Sequence, residues 1–251
     1  MEIIVLGSGT STGVPQIGCD CKVCTSSDPR DNRLRASILI SVNGKNILVD
    51  CGPDFRQQIM RIGAPELDAL LITHSHYDHV GGIDDLRPYA SLKDFPIYCK
   101  ADVIHDIMTR MPYCFTNNLY PGVPHLNLIE INNDKFDIDG IEIQPLPVLH
   151  YKLPILGFRI GDFAYITDAK FIGEETLERL KGLKVLILNA LREKEHISHL
   201  SLSQALEIVK IVKPEQTYFT HISHDMGLHE DVVKRLPPNV SLAYDGMKIK
   251  L

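Results

Sequence analysis

The sequence lacks a long apolar run and an excess of basic charge. No stretch reaches the ~18 apolar residues that a membrane-spanning helix needs, so we expect no membrane partner. The 26 Lys and Arg residues are outnumbered by 32 Asp and Glu residues, which gives a net charge of -6. Because a protein that binds a phosphate backbone usually presents a basic face, this balance disfavours nucleic acid as a partner.

The chain also lacks the sequence signals of export and of internal division. The first residues, MEIIVLGSGT, contain neither the basic segment nor the apolar stretch of a secretory signal, so we expect a cytoplasmic location. The six cysteines are then expected to be reduced rather than paired as disulfides. No repeat, low-complexity segment or Gly/Ser-rich linker occurs, and we expect a single domain spanning residues 1–251.

Short β-rich runs alternate with helical patterns along the chain. The predicted strands are residues 3–6, 38–42, 45–49, 67–72, 140–148, 155–160, 163–167, 185–189, 217–220, 241–244 and 248–251. The predicted helices are residues 53–62, with proline in the first turn, and residues 102–110, 174–180, 203–212 and 229–236. Ser201 or Ser203, with Glu207 nearby, suits the N-terminal cap of the fourth helix. The pattern indicates an α/β fold, and two strand-rich halves favour a four-layer αββα sandwich, which periodicity alone does not settle.

A dense group of histidines follows the apolar run LDALLIT. Four candidate metal ligands leave this predicted strand together, namely His74, His76, Asp78 and His79. Imidazole and carboxylate groups suit Zn²⁺, Mn²⁺ or Fe, and the following Gly81-Gly82 lets the chain turn tightly beside the ions. The alternative is a polar surface loop that happens to hold three of the eleven histidines. The spacing favours the metal site.

Three closely spaced cysteines near the start of the sequence indicate a second kind of metal site. Cys19, Cys21 and Cys24 place three thiols within six residues, and three thiolates suit a structural Zn²⁺ that needs one more ligand. His224, three residues after His221, is the natural fourth ligand. The alternative is a loop of reduced cysteines without metal. The other cysteines, Cys51, Cys99 and Cys114, are expected to be ordinary thiols.

The pattern T-H-x-H-x-D-H after a strand, at residues 73–79, resembles the metallo-β-lactamase superfamily motif. The resemblance implies an αββα sandwich with two metal ions between the sheet edges. It implies that His74, His76 and His150 bind the first ion, that Asp78, His79 and His221 bind the second, and that Asp168 bridges both. Asp50 would support the histidines without binding metal. Taken alone, a single His or Asp at a strand end is more often a capping group, but the order of these residues favours the ligand assignment.

Three segments resemble one branch of this superfamily, the PhnP-like phosphodiesterases. They are GSGTSTGVPQIGCDCKVC, NALREKEHISHLSL and THISHDMGLHE. The resemblance implies hydrolysis of a small phosphodiester such as phosphoribosyl 1,2-cyclic phosphate, by hydroxide held between two Zn²⁺ or Mn²⁺ ions that Asp78 helps to bind. It also implies a remote structural Zn²⁺ held by three cysteines and a histidine. His199 is the candidate phosphate-binding residue or general acid, and only the resemblance favours it over His196 or over a capping role.

Several alternatives remain open from the sequence. A tRNA 3′-processing endonuclease would share the ligand order, but no Gly/Pro-rich basic insertion provides a substrate-grasping arm. A non-catalytic metal-binding protein of cofactor biosynthesis is the second alternative. The segment Gly7-Ser8-Gly9-Thr10 is either a phosphate-binding loop or a tight structural turn. The choice between Zn²⁺ and Mn²⁺, and the formation of a homodimer, are likewise left open.

Overall fold

The apolar runs form two β-sheets that pack face to face in the computed structural model, which describes residues 1–90, 94–116 and 122–251. The first sheet contains β1 (Glu2–Gly7), β2 (Ser37–Val42), β3 (Lys45–Val49), β4 (Ala69–Leu71), β5 (Phe95–Cys99), β6 (Leu126–Glu130) and β15 (Lys248–Lys250). Its spatial order is β15-β1-β2-β3-β4-β5-β6. Strands β3 to β6 run parallel, so their carboxyl ends lie at one edge.

The second sheet is built from the other strands. They are β7 (Phe136–Ile138), β8 (Ile141–His150), β9 (Leu153–Ile160), β10 (Phe163–Ile166), β11 (Phe171–Ile172), β12 (Val185–Asn189), β13 (Gln216–Thr220) and β14 (Val240–Leu242). Their order is β11-β8-β9-β10-β12-β13-β14, and β7 pairs with β8 outside this path. Strands β10, β12, β13 and β14 are parallel, so this sheet also gathers carboxyl ends at one edge.

Helices cover the outer face of each sheet. They are α1 (Phe55–Arg61), α2 (Tyr77–Val80), α3 (Ala101–Arg110), α4 (Glu174–Arg179), α5 (Leu202–Val212) and α6 (His229–Val233). Phe55 and Ile107 pack with Leu48 over the first sheet, and Ala205 packs with Leu188 over the second. Between the sheets lies a third apolar cluster. These layers form the four-layer αββα sandwich expected from the sequence. No described helix is both long and apolar enough for a membrane span.

The local predictions needed four kinds of correction. The first helix begins at Phe55, so its proline precedes it rather than occupying its first turn. Ser201 caps α5 in a capping box with Gln204, not with Glu207. Strands β5, β6, β7 and β11 were not predicted. The histidine segment is not only a loop, because residues 77–80 form the short helix α2.

A buried arginine joins the N-terminal and C-terminal segments of the chain. Arg33 is only 3% exposed, and its Nη1 donates to Ser8 Oγ at 2.9 Å. Its Nη2 faces His229 Nδ1 at 3.2 Å, so that nitrogen must be the unprotonated acceptor. Burial, followed by the charges of Arg33 and Arg30, lowers the pKa of His229 to about 4. Protonation of His229 therefore opposes this arrangement.

The pKa of His229 makes the folded state sensitive to acid. Because this pKa is below the ordinary value for histidine, its stabilising effect is complete above about pH 6.5 and is lost as the pH falls towards 4. We expect wild type to lose up to ~3 kcal/mol more than His229→Gln over this window, in urea unfolding at each pH. His105→Gln, at an exposed position of α3, is the control. Equal acid sensitivity of wild type and His229→Gln would contradict this assignment.

Candidate metal centre

The candidate ligands converge because each follows the end of a buried strand. His74 follows β4, His150 ends β8, Asp168 follows β10 and His221 follows β13. The segment after β4 carries His76 and then turns into α2, which carries Asp78 and His79. The parallel strands of each sheet bring these ends to one edge, so residues far apart in sequence become neighbours.

The first group consists of His74, His76 and His150. One ligand atom from each lies within 4.8 Å of the others. The ring centroids of His74 and His76 are 4.5 Å apart, and those of His76 and His150 are 5.1 Å apart. Three imidazoles at this spacing suit one divalent ion.

The second group consists of Asp78, His79, Asp168 and His221. His79 Nε2 lies 3.2 Å from Asp78 Oδ2 and 3.3 Å from Asp168 Oδ2. His221 Nδ1 lies 3.2 Å from the same Asp168 oxygen. The structure therefore brings together every residue that the sequence predicted for the dinuclear site. Asp168 lies beside both groups, as a bridging carboxylate would.

Hydrogen bonds fix the orientation of the rings. Asp50 Oδ2 accepts from His79 Nδ1 at 2.7 Å, and Asp50 also accepts from the hydroxyl of Thr73. That hydroxyl lies 3.0 Å from His74 Nδ1, while His150 Nδ1 donates to the carbonyl of Ser198 at 2.9 Å. With Nδ1 engaged in each ring, Nε2 is directed at the centre. Asp50 thus supports the ligands, as predicted.

Among the residues that the structure describes, two buried nitrogens of the candidate ligands have no hydrogen-bond partner. They are the Nε2 atoms of His74 and His79. A buried polar atom without a partner costs ~1–3 kcal/mol, and divalent cations, one coordinated by His74 in the first group and one by His79 in the second, would remove that cost. The residues present therefore fit the metal ions that the sequence indicates.

The backbone at the centre is held in a conformation that L-residues rarely adopt. Asp50, Asp168 and His221 have φ angles of 61°, 57° and 55°. Each such residue costs on the order of 1–3 kcal/mol, which the surrounding sheet ends must offset. Strain concentrated at three residues of one centre is typical of a functional site.

Burial and neighbouring charges shift the pKa values of His74 and His79 in opposite directions. Burial holds the pKa of His74 well below its ordinary value, so this ring stays neutral and able to bind metal. Burial also acts against a charged His79, but the carboxylates of Asp50, Asp168 and Asp78 outweigh it and raise the pKa of His79. Such a set of carboxylates favours positive charge at the centre, whether from a proton or from metal ions.

Thr10 is a site residue that the sequence did not identify. Its Oγ1 lies 3.1 Å from His221 Nε2, which leaves His221 Nδ1 facing Asp168. The backbone N–H groups of Ser8, Gly9 and Thr10 are all engaged, by the Asp245 carboxylate and by two carbonyls. These N–H groups do not cradle a phosphate, so the segment is a structural turn that positions a ligand. No local pattern predicts this contact, because 211 residues separate Thr10 from His221.

His199 and His196 occupy different positions. His199 is buried, its Nδ1 lies 3.7 Å from Asp168 Oδ1, and no hydrogen-bond partner of that nitrogen occurs in residues 1–90, 94–116 and 122–251. Its ring lies between those of His150 and His221, at centroid distances of 4.6 and 4.9 Å. His196 is farther out, and its Nδ1 bonds to Ser198. Burial, followed by His221, lowers the pKa of His199 to about 3.

The cysteine cluster forms a second site next to the centre. The Sγ atoms of Cys19, Cys21 and Cys24 lie 3.2, 3.4 and 3.5 Å from His224 Nδ1. Hydrogen bonding from the Cys24 backbone is the first cause that lowers the pKa of Cys21 to about 6. Four ligands at these distances suit one Zn²⁺. The other cysteines, Cys51, Cys99 and Cys114, are buried free thiols.

Comparison with known proteins places the chain among metallo-hydrolases. The model of a family described as the beta-lactamase superfamily domain matches residues 45–222. A diphosphatase from the PhnP family has a crystal structure with a TM-score of 0.93 and 39% identity, covering 100% of this chain and 97% of that one. Zn²⁺-bound PqqB from Methylobacterium extorquens shares the fold, with a TM-score of 0.80 and 19% identity, over 100% of both chains.

One curated relative is named for an activity that differs from that of the diphosphatase. An octanoyltransferase from Porphyromonas gingivalis is 44% identical over 251 residues, which are 99% of this chain and 51% of the relative. The chain therefore spans about half the length of that relative.

Removal of one thiol tests the cysteine cluster. We expect wild type to hold three metal ions per chain and Cys21→Ser to hold two, because a three-ligand site binds Zn²⁺ more weakly. Elemental analysis after dialysis against a weak chelator measures the stoichiometry. Cys99→Ser, at a buried thiol outside the cluster, is the control and should keep all three. If Cys21→Ser holds as many metal ions per chain as wild type, the cysteine cluster is not a metal site.

Thr10 offers a test of ligand positioning. We expect Thr10→Val to weaken metal binding at the second group ~10-fold or more, because His221 loses the hydrogen bond that orients it. Thr10→Ser keeps the hydroxyl and should keep near wild-type affinity. Chelator competition measures both affinities, and circular dichroism confirms that each variant folds. Equal affinity in the valine and serine variants would refute the positioning argument.

Proposed function

The chain belongs to the beta-lactamase superfamily domain family and, within it, to the PhnP family, and on that premise we propose that it is a metal-dependent phosphodiesterase. Its substrate in this proposal is a small phosphodiester such as phosphoribosyl 1,2-cyclic phosphate. The observation that carries the proposal is the position of Asp168 between two ligand groups, with the free Nδ1 of His199 beside it.

The arrangement suits hydrolysis at phosphorus. Two divalent ions bound by the two groups would activate water and neutralise the charge of the diester. The chain itself holds Asp168 so that one carboxylate oxygen faces His79 and His221 and the other faces His199. A phosphoryl group placed beside Asp168 is then within reach of His199.

His199 is better suited to bind phosphate than to act as a charged acid. Its pKa of about 3 means that the free enzyme holds a neutral ring at pH 7. A neutral imidazole still donates one N–H, and the Nδ1 without a partner is the donor that a phosphoryl oxygen would accept from. Desolvated donors of this kind stabilise the charge that develops in the transition state.

The octanoyltransferase relative does not change this proposal. Acyl transfer through a thiol needs an exposed cysteine with a lowered pKa. In this chain, Cys51 and Cys99 are fully buried, and burial raises the pKa of Cys99 to about 12. Cys21 is the one described cysteine whose pKa is lowered to about 6, and it belongs to the cluster with His224.

Two rival functions are weaker. A tRNA-processing enzyme has to attract a polyanion, whereas this chain has a net charge of -6. A protein that only binds metal or a cofactor has no need of a buried imidazole nitrogen left without a partner next to the ligands.

The first experiment measures diesterase activity with the metals counted. Initial rates are recorded on bis(p-nitrophenyl) phosphate, a 2′,3′-cyclic nucleotide and ribose 1,2-cyclic phosphate 5-phosphate. We expect His199→Ala to lower kcat about 10²- to 10⁴-fold with its metal content unchanged, because it removes a donor to the transition state. His196→Ala is the matched control and should lose less than ~10-fold. A metal-replete protein that cleaves none of the three diesters would refute the phosphodiesterase proposal.

A further inference from the structure

His76 is the ligand of the first group whose ring receives the least support. The residue is exposed, and within residues 1–90, 94–116 and 122–251 neither of its ring nitrogens has a hydrogen-bond partner. In contrast, the Nδ1 atoms of His74, His79 and His150 face a hydroxyl, a carboxylate and a carbonyl. A metal-binding imidazole is usually oriented by a partner of that kind. The backbone that carries His76 therefore has to supply its position.

The backbone after His76 is fixed by the first turn of α2. The carbonyl of His76 accepts from the N–H of His79 at 2.9 Å, and the carbonyl of Tyr77 accepts from the N–H of Gly81 at 2.7 Å. The ring of Tyr77 lies against Gly81, where an added Cβ would come within 2.8 Å of it. These contacts hold the chain on one side of His76, and the peptide on the other side needs a different support.

Two side chains of α3 hold the peptide before His76. Ser75 lies between the ligands His74 and His76, and its Oγ donates to Asp106 Oδ2. The Nη1 of Arg110 donates to the backbone carbonyl of Ser75 at 2.6 Å. That carbonyl belongs to the peptide bond that joins Ser75 to His76. One helix therefore fixes both the side chain of Ser75 and the peptide that leads to the ligand.

The helix α3 is a firm support because its inner face is buried. Val103 and Ile107 are 3% and 2% exposed and pack in the apolar cluster over the first sheet. Asp106 and Arg110 are four residues apart, so they lie on one face of the helix. In the described part of the chain neither forms an ion pair within 4.0 Å, and both bond to Ser75 instead. The Asp106 bond is partly buried and the Arg110 bond is exposed, so water competes more with the second.

We propose that Asp106, assisted by Arg110, is a positioning residue that acts through Ser75 to hold His76 in the first metal-binding group. The inference rests on the dinuclear metal site that the proposed function also requires, and it concerns the affinity of that site for metal. Without the bonds from α3, the peptide before His76 is free to move, and the first group keeps only two fixed imidazoles. The second group has its own supports and does not depend on α3.

The metal affinities of single variants test this role. We expect Ser75→Ala and Asp106→Ala each to weaken the first metal site ~10-fold or more in chelator competition, because His76 loses its fixed position. Asp106→Asn keeps an acceptor for the Ser75 hydroxyl and should keep most of the affinity. Arg110→Met should weaken this site less than Asp106→Ala does. His76→Ala removes the ligand itself and so identifies which measured affinity belongs to the first site.

A double variant shows whether Ser75 and Asp106 act as one unit. We expect Ser75→Ala/Asp106→Ala to bind metal at the first site as weakly as either single variant but no more weakly, because both changes break the same bond. Asp102→Ala removes another acidic side chain of α3, at an exposed position, and is the matched control that should bind metal as wild type does. Circular dichroism confirms that each variant folds. Losses that add in the double variant, or equal losses at both metal sites, would overturn the positioning role.

These measurements need no substrate, so they are independent of the proposed function. If the protein cleaves no phosphodiester but Ser75→Ala and Asp106→Ala weaken the first site alone, the phosphodiesterase proposal fails and the positioning role stands. If both variants bind metal as tightly as wild type, the positioning role is overturned whatever the activity. The absorption spectrum of the Co²⁺-substituted protein gives a second readout. We expect the spectrum of the first site to change in Asp106→Ala and to return towards that of wild type in Asp106→Asn.

Discussion

The burial of three carboxylates and several imidazoles at one edge of the sandwich is the constraint on which the rest of the structure depends. Asp50, Asp168 and Asp78 are each less than a tenth exposed, and isolated charges at such burial would cost several kcal/mol each. They are tolerated because imidazoles face them within 2.7 to 3.3 Å and because metal ions fit between them. The parallel strand ends and the left-handed backbone of Asp168 and His221 are the geometry that keeps these groups together.

The same edge supports the neighbouring sites through short connections. His221 and His224 are three residues apart, so the candidate dinuclear centre and the cysteine cluster share one short segment after β13. On the opposite side, the Ser198 carbonyl that orients His150 precedes His199 directly. The segments that carry Asp168 and His199 are likewise joined, because the N–H of Leu200 donates to the carbonyl of Ala169 at 2.8 Å. Short segments and backbone hydrogen bonds therefore connect these sites.

The sequence predicted the layered fold and the grouping of ligands for different reasons. Strands β3 and β12 have apolar patterns clear enough that their predicted bounds match those observed. Strands β6 and β11 were missed because β6 is mixed in polarity and β11 has only two residues. Each forms by pairing with a neighbouring strand rather than through a pattern of its own. Four candidate ligands were found because they lie within six residues, whereas His150, Asp168 and His221 came only from the family resemblance. Thr10 carries no such signal, since its partner His221 is distant in the chain. The pairing of Ser201 with Gln204 in the capping box could have been predicted from their three-residue spacing alone.

The dispersal of the ligands along the chain has a consequence for how the protein is made. The first group is complete once residue 150 has been synthesised, but the second needs His221, and the cysteine loop near the N-terminus waits for His224. An emerging chain therefore carries the three thiols without His224 for most of its synthesis, and the first group without a complete second group between residues 150 and 221. Assembly of the second group and of the cysteine cluster is thus a late event in biosynthesis, and fragments that end before β13 lack a member of each group.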